Sequence, residues 1–172
     1  MGKIAVLIDE SFEDVEYEAP AKAFREAGHS LLHLSIKKGA QLKGKKGSST
    51  VTVDMEVGSA DPSSFDALFI PGGYSPDRLR AHSEPVVFVR AFVESAKPVL
   101  LICHAPQLLI TAHVLQGRKI TGWKSIIQDI KNAGAEFVDS PVVIDGNLIS
   151  SRGPKDIAEF IKASLDILNK KS

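Results

Sequence analysis

Cys103 and His104 are the adjacent pair of side chains in this sequence best placed for covalent chemistry. Cys103 is the only cysteine. It stands between an apolar run, residues 99–102, and Ala105-Pro106, which opens an apolar helical pattern over residues 107–115. Four aliphatics after Pro98 read as a strand buried on both faces, so Cys103 and His104 fall on a tight strand-to-helix turn. Such a turn pushes its side chain out at the carboxyl end of the sheet, where the first helical N–H groups point. A lone cysteine is by default a small buried hydrophobe. Its position argues otherwise here: a helix N-terminus and a neighbouring histidine are surroundings that lower a thiol pKa and make the thiolate a nucleophile. Adjacent residues on a sharp turn often point apart, so the sequence leaves open whether His104 faces the sulfur.

The elements that must position this pair are legible along the chain. Residues 3–8 form a short apolar run read as a first buried strand. The polar turn 9–14 follows, then an amphipathic helix over 15–27, with Glu13, Asp14, Glu16 and Glu18 near its start, where negative charge suits the helix dipole. Gly28 ends the helix and residues 30–36 form a second strand, so the sheet is mostly parallel. Residues 37–54 interrupt this rhythm as a β-hairpin excursion. Within it, Gly39 to Lys46 imitates a phosphate-binding loop, but Lys46 stands where Ser or Thr is required and β-like sequence follows. The lysines there read as a solvated hairpin tip. A strand over 65–70 runs into Pro71-Gly72-Gly73, a pair of glycines that fits a sharp turn or a close backbone approach to a ligand or another loop. A short helix from Pro76 and a longer one over 85–96 precede the Cys103 strand. Beyond it come a strand at 118–121, a helix over 125–133, a hairpin around Asp145-Gly146 and a last helix over 155–169. The order describes an α/β, flavodoxin-like three-layer sandwich with a mostly parallel central sheet and a nucleophile elbow, ligands lying outside the carboxyl ends of the strands.

The totals exclude several alternatives. The 172 residues fit one domain with a substantial core, and 21 acidic and 21 basic residues balance, which gives no bulk-charge argument for a nucleic-acid partner. One cysteine excludes an internal disulfide and a cysteine-only metal site. No G-x-G-x-x-G follows the first strand, so no cofactor is expected. His29, His33, His82 and His113 have no partner pattern and read as structural or surface residues, and no metal site is expected. No apolar stretch approaches the ~20 residues of a membrane span, and the expectation is a cytoplasmic protein.

Several stretches together resemble one family. They are Phe12-Glu13-Asp14-Val15-Glu16 after the first strand; Phe65-Asp66-Ala67-Leu68 running into Ile70-Pro71-Gly72-Gly73, with Ser75-Pro76-Asp77; Ile102-Cys103-His104-Ala105-Pro106-Gln107 at the elbow; Asn132-Ala133-Gly134-Ala135; and Ser151-Arg152-Gly153-Pro154. The combination resembles the ThiJ/PfpI superfamily, in its PfpI-type branch of intracellular proteases and general stress proteins. It spans the chain and implies a single domain over residues 1–172, of the class I glutamine amidotransferase-like kind. The resemblance implies that Cys103 is the nucleophile, His104 the catalytic histidine, and Glu13 the protonated acid that donates a hydrogen bond to the thiolate. It implies an oxyanion hole made by the N–H groups of Gly73 and His104. It also implies that Asp77 orients the histidine of a neighbouring subunit, so that the working form is a homodimer or larger homo-oligomer. Family members usually have Gly two residues after the nucleophile and a small residue two before; this chain has Ala105, a mild change, and Leu101, which implies a slightly different turn or a repacked second layer.

Three activities follow from the resemblance. The first is attack of the Cys103 thiolate on small carbonyls such as glyoxal or methylglyoxal, or on their glycated adducts, to release a hydroxy acid, which is the glyoxalase or deglycase type of activity. The second is peptide hydrolysis by the same groups. The third is redox sensing or chaperone function through oxidation of Cys103. The first is the preferred expectation.

Overall fold

Period-two alternation in the apolar strands builds a sheet with a separate core on each face. The computed structural model describes residues 1–170. In chain order the elements are β1 (Lys3–Leu7), α1 (Asp14–Glu26), β2 (Ser30–Ser35), β3 (Gln41–Lys43), β4 (Thr50–Thr52), β5 (Met55–Glu56), β6 (Ala67–Ile70), α2 (Ser75–Arg80), α3 (Ser83–Glu94), β7 (Val99–Ile102), α4 (Pro106–Thr111), β8 (Lys119–Ile120), α5 (Ile127–Asn132), β9 (Glu136–Phe137), β10 (Val142–Asp145), β11 (Leu148–Ser151) and α6 (Ile157–Lys170). The main sheet has seven strands in the order β10-β11-β7-β6-β1-β2-β5. Every pairing in it is parallel except β10 with β11.

Successive residues of a strand face opposite sides. Ala5 and Leu7 of β1, with Val99 and Leu101 of β7, join one core that includes Leu79, Phe88, Phe92, Leu108 and Leu109 from α2, α3 and α4. Ile4 and Val6, with Leu100 and Ile102, join the other, where Tyr17 and Phe24 of α1 and Phe160 of α6 pack. The sheet is buried between two helical layers, so the sequence places nearly continuous aliphatics in β1, β6 and β7. These three strands end side by side, and the segments leaving them meet: Phe12, beyond β1, bridges to Gly73, beyond β6.

The 37–54 excursion is a hairpin, β3 against β4 with Leu42 opposite Val51. No helix follows its glycines, so a phosphate cradle is ruled out there. Two elements differ from the sequence reading. The helix after Cys103 ends at Thr111 rather than near 115, because His113 takes a left-handed φ of 57°. Leu115 is buried all the same. Its apolar spacing reports burial rather than helix. The strand near 118–121 lies outside the main sheet, paired parallel with β9. Leu101 and Ala105, the two departures from the family pattern at the elbow, are both fully buried.

Candidate functional site

β7 ends at Ile102 and α4 starts at Pro106, which leaves three residues to turn the chain. Cys103 makes that turn with φ 62°, left-handed for a residue with a side chain. Such a conformation costs on the order of 1 kcal/mol and persists only where the surroundings over-determine it. They do so here: the Cys103 N–H donates to the Ser151 carbonyl at 3.0 Å, and its carbonyl accepts from the Trp123 N–H at 2.9 Å.

Four groups converge on the sulfur, which is almost buried at 6% residue exposure. The backbone N–H groups of Gly73 and His104 donate to it. The Glu16 carboxyl hydrogen-bonds to it. His104 turns its ring towards it, with Nδ1 3.3 Å from Sγ, and its Nε2 lies 3.2 Å from Ser125 Oγ. The elbow therefore directs both neighbours to one place, settling the orientation that sequence alone left open.

The carboxyl against the sulfur is Glu16, and this corrects the assignment of that position to Glu13. The helix explains the exchange. Glu16 shares a stripe with Pro20 and Phe24, spaced four residues apart, and that stripe is the buried face of α1. Glu13, at the N-cap, lies at the cavity wall and turns to the hairpin, with Oε2 3.3 Å from Lys45 Nζ and Oε1 3.5 Å from Lys46 Nζ. Glu16 is fully buried. The Gly72 N–H donates to its Oε1 at 3.1 Å, and no group donates to its buried Oε2. Burial pushes the Glu16 pKa up to about 8, the Cys103 contact opposes the rise, and the Glu13 charge adds to it. A carboxyl with one bare buried oxygen is suited to the neutral form. Burial, and then Glu16, push the Cys103 thiol up as well, while the two backbone N–H groups pull it down. Two groups that repel one another's charge in a confined space give up one proton readily and the second only at high pH.

Gly72 and Gly73 make this approach possible. A Cβ on Gly72 would overlap Glu16 Oε1 and lie 2.8 Å from Cys103 Cβ. Gly73 has φ 77°, and a Cβ there would run into the backbone of Ser11 to Glu13. The sharp turn and the close approach to another loop both hold: the turn packs against the backbone of residues 11–13 and brings one N–H to the sulfur and the other to Glu16.

A cavity of about 360 Å³ opens over Cys103, lined by Glu13, Glu16, Lys45, Gly73, Tyr74, Cys103, His104, Trp123 and Pro154. It is small-molecule sized. A larger one, about 560 Å³, lies beyond the shared Trp123 and Pro154, and its lining includes no cysteine, serine, threonine or histidine. His104 is held below its ordinary pKa by burial first and the Lys45 charge second, with Asp77 opposing, which suits a neutral proton acceptor. Asp77 itself is exposed in the first turn of α2 and makes no hydrogen bond to His104. His33 belongs to a separate chain of contacts, Nε2 2.8 Å from the Tyr17 hydroxyl and Nδ1 2.9 Å from Asp54 Oδ2, which ties α1 and β2 to the end of the hairpin. No helix among the described residues is long and apolar enough to cross a membrane.

Glu16, Lys45, Tyr74, Trp123 and Ser125 were not singled out from the sequence. Glu16 had a signal, an acidic residue on an apolar helix stripe. The others are gathered by contacts far apart in the chain.

A family model described as "DJ-1/PfpI family" matches residues 2–167. A "Protein/nucleic acid deglycase 2" of Escherichia coli is 51% identical over 167 residues, covering 96% of this chain and 97% of that protein. "General stress protein 18" of Bacillus subtilis is 52% identical over 172 residues, covering 99% of this chain and all of that protein. Among solved structures, a two-domain Anabaena variabilis protein containing DJ-1/ThiJ/PfpI-like and ferritin-like domains superposes with a TM-score of 0.96 at 39% identity. The match covers 98% of this chain and 48% of that one, so this chain spans about half of it.

Proposed function

This chain belongs to the DJ-1/PfpI family, and on that footing we propose that it is a cysteine-dependent enzyme acting on reactive carbonyls or their adducts. The observation that carries this reading is the set of groups around one sulfur: two backbone N–H groups, a buried protonatable carboxyl and a histidine, beneath a cavity of about 360 Å³. The deglycase name of the Escherichia coli relative supports the same class of substrate.

The chemistry starts from the shared proton. It resides on Glu16, whose O–H donates to sulfur, and the charge resides on the thiolate, which also receives the Gly73 and His104 N–H groups. The thiolate adds to the aldehyde carbon of methylglyoxal, or to the same carbon in an adduct. The oxyanion that develops takes over the two N–H groups, each worth about 3 kcal/mol to such a charge. His104 Nδ1 removes the C1 proton and returns it to C2. The product is a lactoyl thioester on Cys103, an isomer of the adduct, so no oxidant is consumed. One water hydrolyses it, releasing lactate and restoring the thiol. Asp77 acts from a neighbouring copy, where it orients His104, and the working enzyme is a homo-oligomer.

The test is a time course of purified protein with methylglyoxal, wild type beside Cys103→Ser, following lactate with a stereospecific assay. Lactate from wild type and none from the variant supports the reading. No lactate from reduced, folded wild type overturns it. Cys103-dependent cleavage of an unfolded protein in place of lactate moves the assignment to peptide hydrolysis.

A further inference from the structure

Among the residues lining the Cys103 cavity, Lys45 is the single lysine or arginine. It sits at the hairpin tip that the sequence reads as solvated, and the structure holds that tip firmly. The Lys45 N–H donates to the Phe12 carbonyl at 2.8 Å, and Phe12 is also bridged to Gly73. The buried Asp14 carboxylate accepts from the N–H groups of Lys46, Ser48 and Ser49 at 2.8, 3.1 and 2.9 Å, and from the Ser48 hydroxyl at 2.9 Å. The Lys45 backbone is thereby tied to Phe12, the same residue that bridges to Gly73. Its ammonium lies 3.3 Å from Glu13 Oε2 and 5.5 Å from the centre of the Tyr74 ring. Its charge acts on both Cys103 and His104.

The reaction proposed above has an electrostatic requirement that the elbow does not meet. Adding the thiolate to C1 places negative charge on the C1 oxygen, which the Gly73 and His104 N–H groups serve. Removing the C1 proton then moves an electron pair onto the C2 oxygen, making an enediolate. That second oxygen needs its own donor aimed at the developing charge.

We propose that Lys45 is a catalytic residue that donates a hydrogen bond to the C2 oxygen of the Cys103-bound adduct and so makes the site selective for 1,2-dicarbonyl-derived substrates. This rests on the carbonyl reading of Cys103 given above. The balance is internal: the C1–H bond breaks and its proton passes through His104 Nδ1 to C2, while the C2=O bond becomes C2–O and takes the proton the thiol contributed, held on Glu16 and passed by way of the C1 oxygen, to become the lactoyl hydroxyl. Lys45 stays protonated throughout. Glu13 is a positioning residue that holds the ammonium at the cavity wall, which gives this carboxylate a role different from the Cys103 contact the family resemblance implied.

Lys45→Met and Lys45→Arg test it, each compared with wild type at a pH where Cys103 alkylation by iodoacetamide has reached its plateau. Lactate turnover from methylglyoxal is expected to fall roughly 100-fold in Lys45→Met, the usual loss for one such donor, while Lys45→Arg keeps much of the rate. Alkylation of Cys103 is expected to stay within about threefold of wild type, since the charge is partly solvated. With C1-deuterated methylglyoxal the isotope effect on turnover is expected to grow in Lys45→Met, as C1 proton removal becomes limiting. Undiminished lactate in Lys45→Met overturns the proposal and leaves the Cys103 reading standing. Parallel loss of lactate and alkylation, with no change in isotope effect, also overturns it, since Lys45 would then only support the thiolate. No lactate from wild type removes both readings.

Discussion

Replacing Glu16 by a neutral side chain should raise the Cys103 thiol pKa, and the sign of the change is the point. If the shared proton sits on Glu16 when the sulfur is ionised, its O–H is a charge-assisted donor to the thiolate. Such a bond is worth about 1.5–3 kcal/mol, or about 1–2 pKa units at 1.36 kcal/mol each. Glu16→Gln keeps the oxygen that accepts from the Gly72 N–H at 3.1 Å and offers the sulfur an N–H, a weaker donor. Its thiol should titrate higher than wild type by under about 2 units. Glu16→Leu offers no donor and should rise further. The opposite arrangement, an ionised Glu16 beside the sulfur, raises the thiol pKa by repulsion, so removing that charge would lower it. Ultraviolet thiolate absorbance against pH, with Cys103→Ser as the blank, reads the sign directly. A thiol pKa that falls in Glu16→Gln refutes the placement of the proton, and with it the reason given for the buried carboxyl.

Three further outcomes follow from the same geometry. In Cys103→Ser no thiolate shares the proton, and burial holds the Glu16 pKa above its ordinary value of 4.5; a raised folded pKa gives stability present at low pH and lost as pH climbs through that window. Cys103→Ser should therefore lose up to about 1.4 kcal/mol per pH unit relative to Cys103→Ser/Glu16→Gln as pH rises from about 5, measured by denaturant unfolding, while wild type, whose Cys103–Glu16 pair holds one proton in both the folded and the unfolded chain, should stay nearly flat. Gly72→Ala should cost about 1–3 kcal/mol of stability and most of the Cys103 alkylation rate, because its Cβ displaces the carboxyl and crowds Cys103 Cβ at 2.8 Å; a variant that alkylates like wild type would show that the Glu16 contact is dispensable. If Asp77 serves a neighbouring copy, mixing inactive Cys103→Ser with impaired Asp77→Ala should restore part of the lactate rate, since mixed assemblies contain one intact site. Additive rates would deny that the site is shared.

Fold and elbow were legible because they rest on local rules. Aliphatic runs bounded by prolines and glycines are strands in a doubly covered sheet, and a cysteine between such a run and Ala105-Pro106 has to sit on the turn. The family pattern named the correct loops but the wrong carboxylate in one of them, since Glu13 and Glu16 both follow the first strand and only the buried stripe through Pro20 and Phe24 separates them. The solvated reading of Lys45 holds as far as exposure goes, but it does not reveal the cavity beside the hairpin tip. The place of Lys45 at the cavity wall depends on Asp14, which caps the hairpin tip from 32 to 35 residues away, and no local pattern encodes that contact. The orientation of His104 follows from the left-handed φ of Cys103, a value fixed by Ser151 and Trp123 in distant segments.

The most direct test of the account is nuclear magnetic resonance of the protein mixed with methylglyoxal carrying ¹³C at C1. A thiohemiacetal carbon present in wild type, absent in Cys103→Ser, and decaying in step with the appearance of the lactate carboxyl carbon is the predicted result. Lactate forming at the same rate in Cys103→Ser, or a thiohemiacetal that persists without ever yielding lactate, would contradict it.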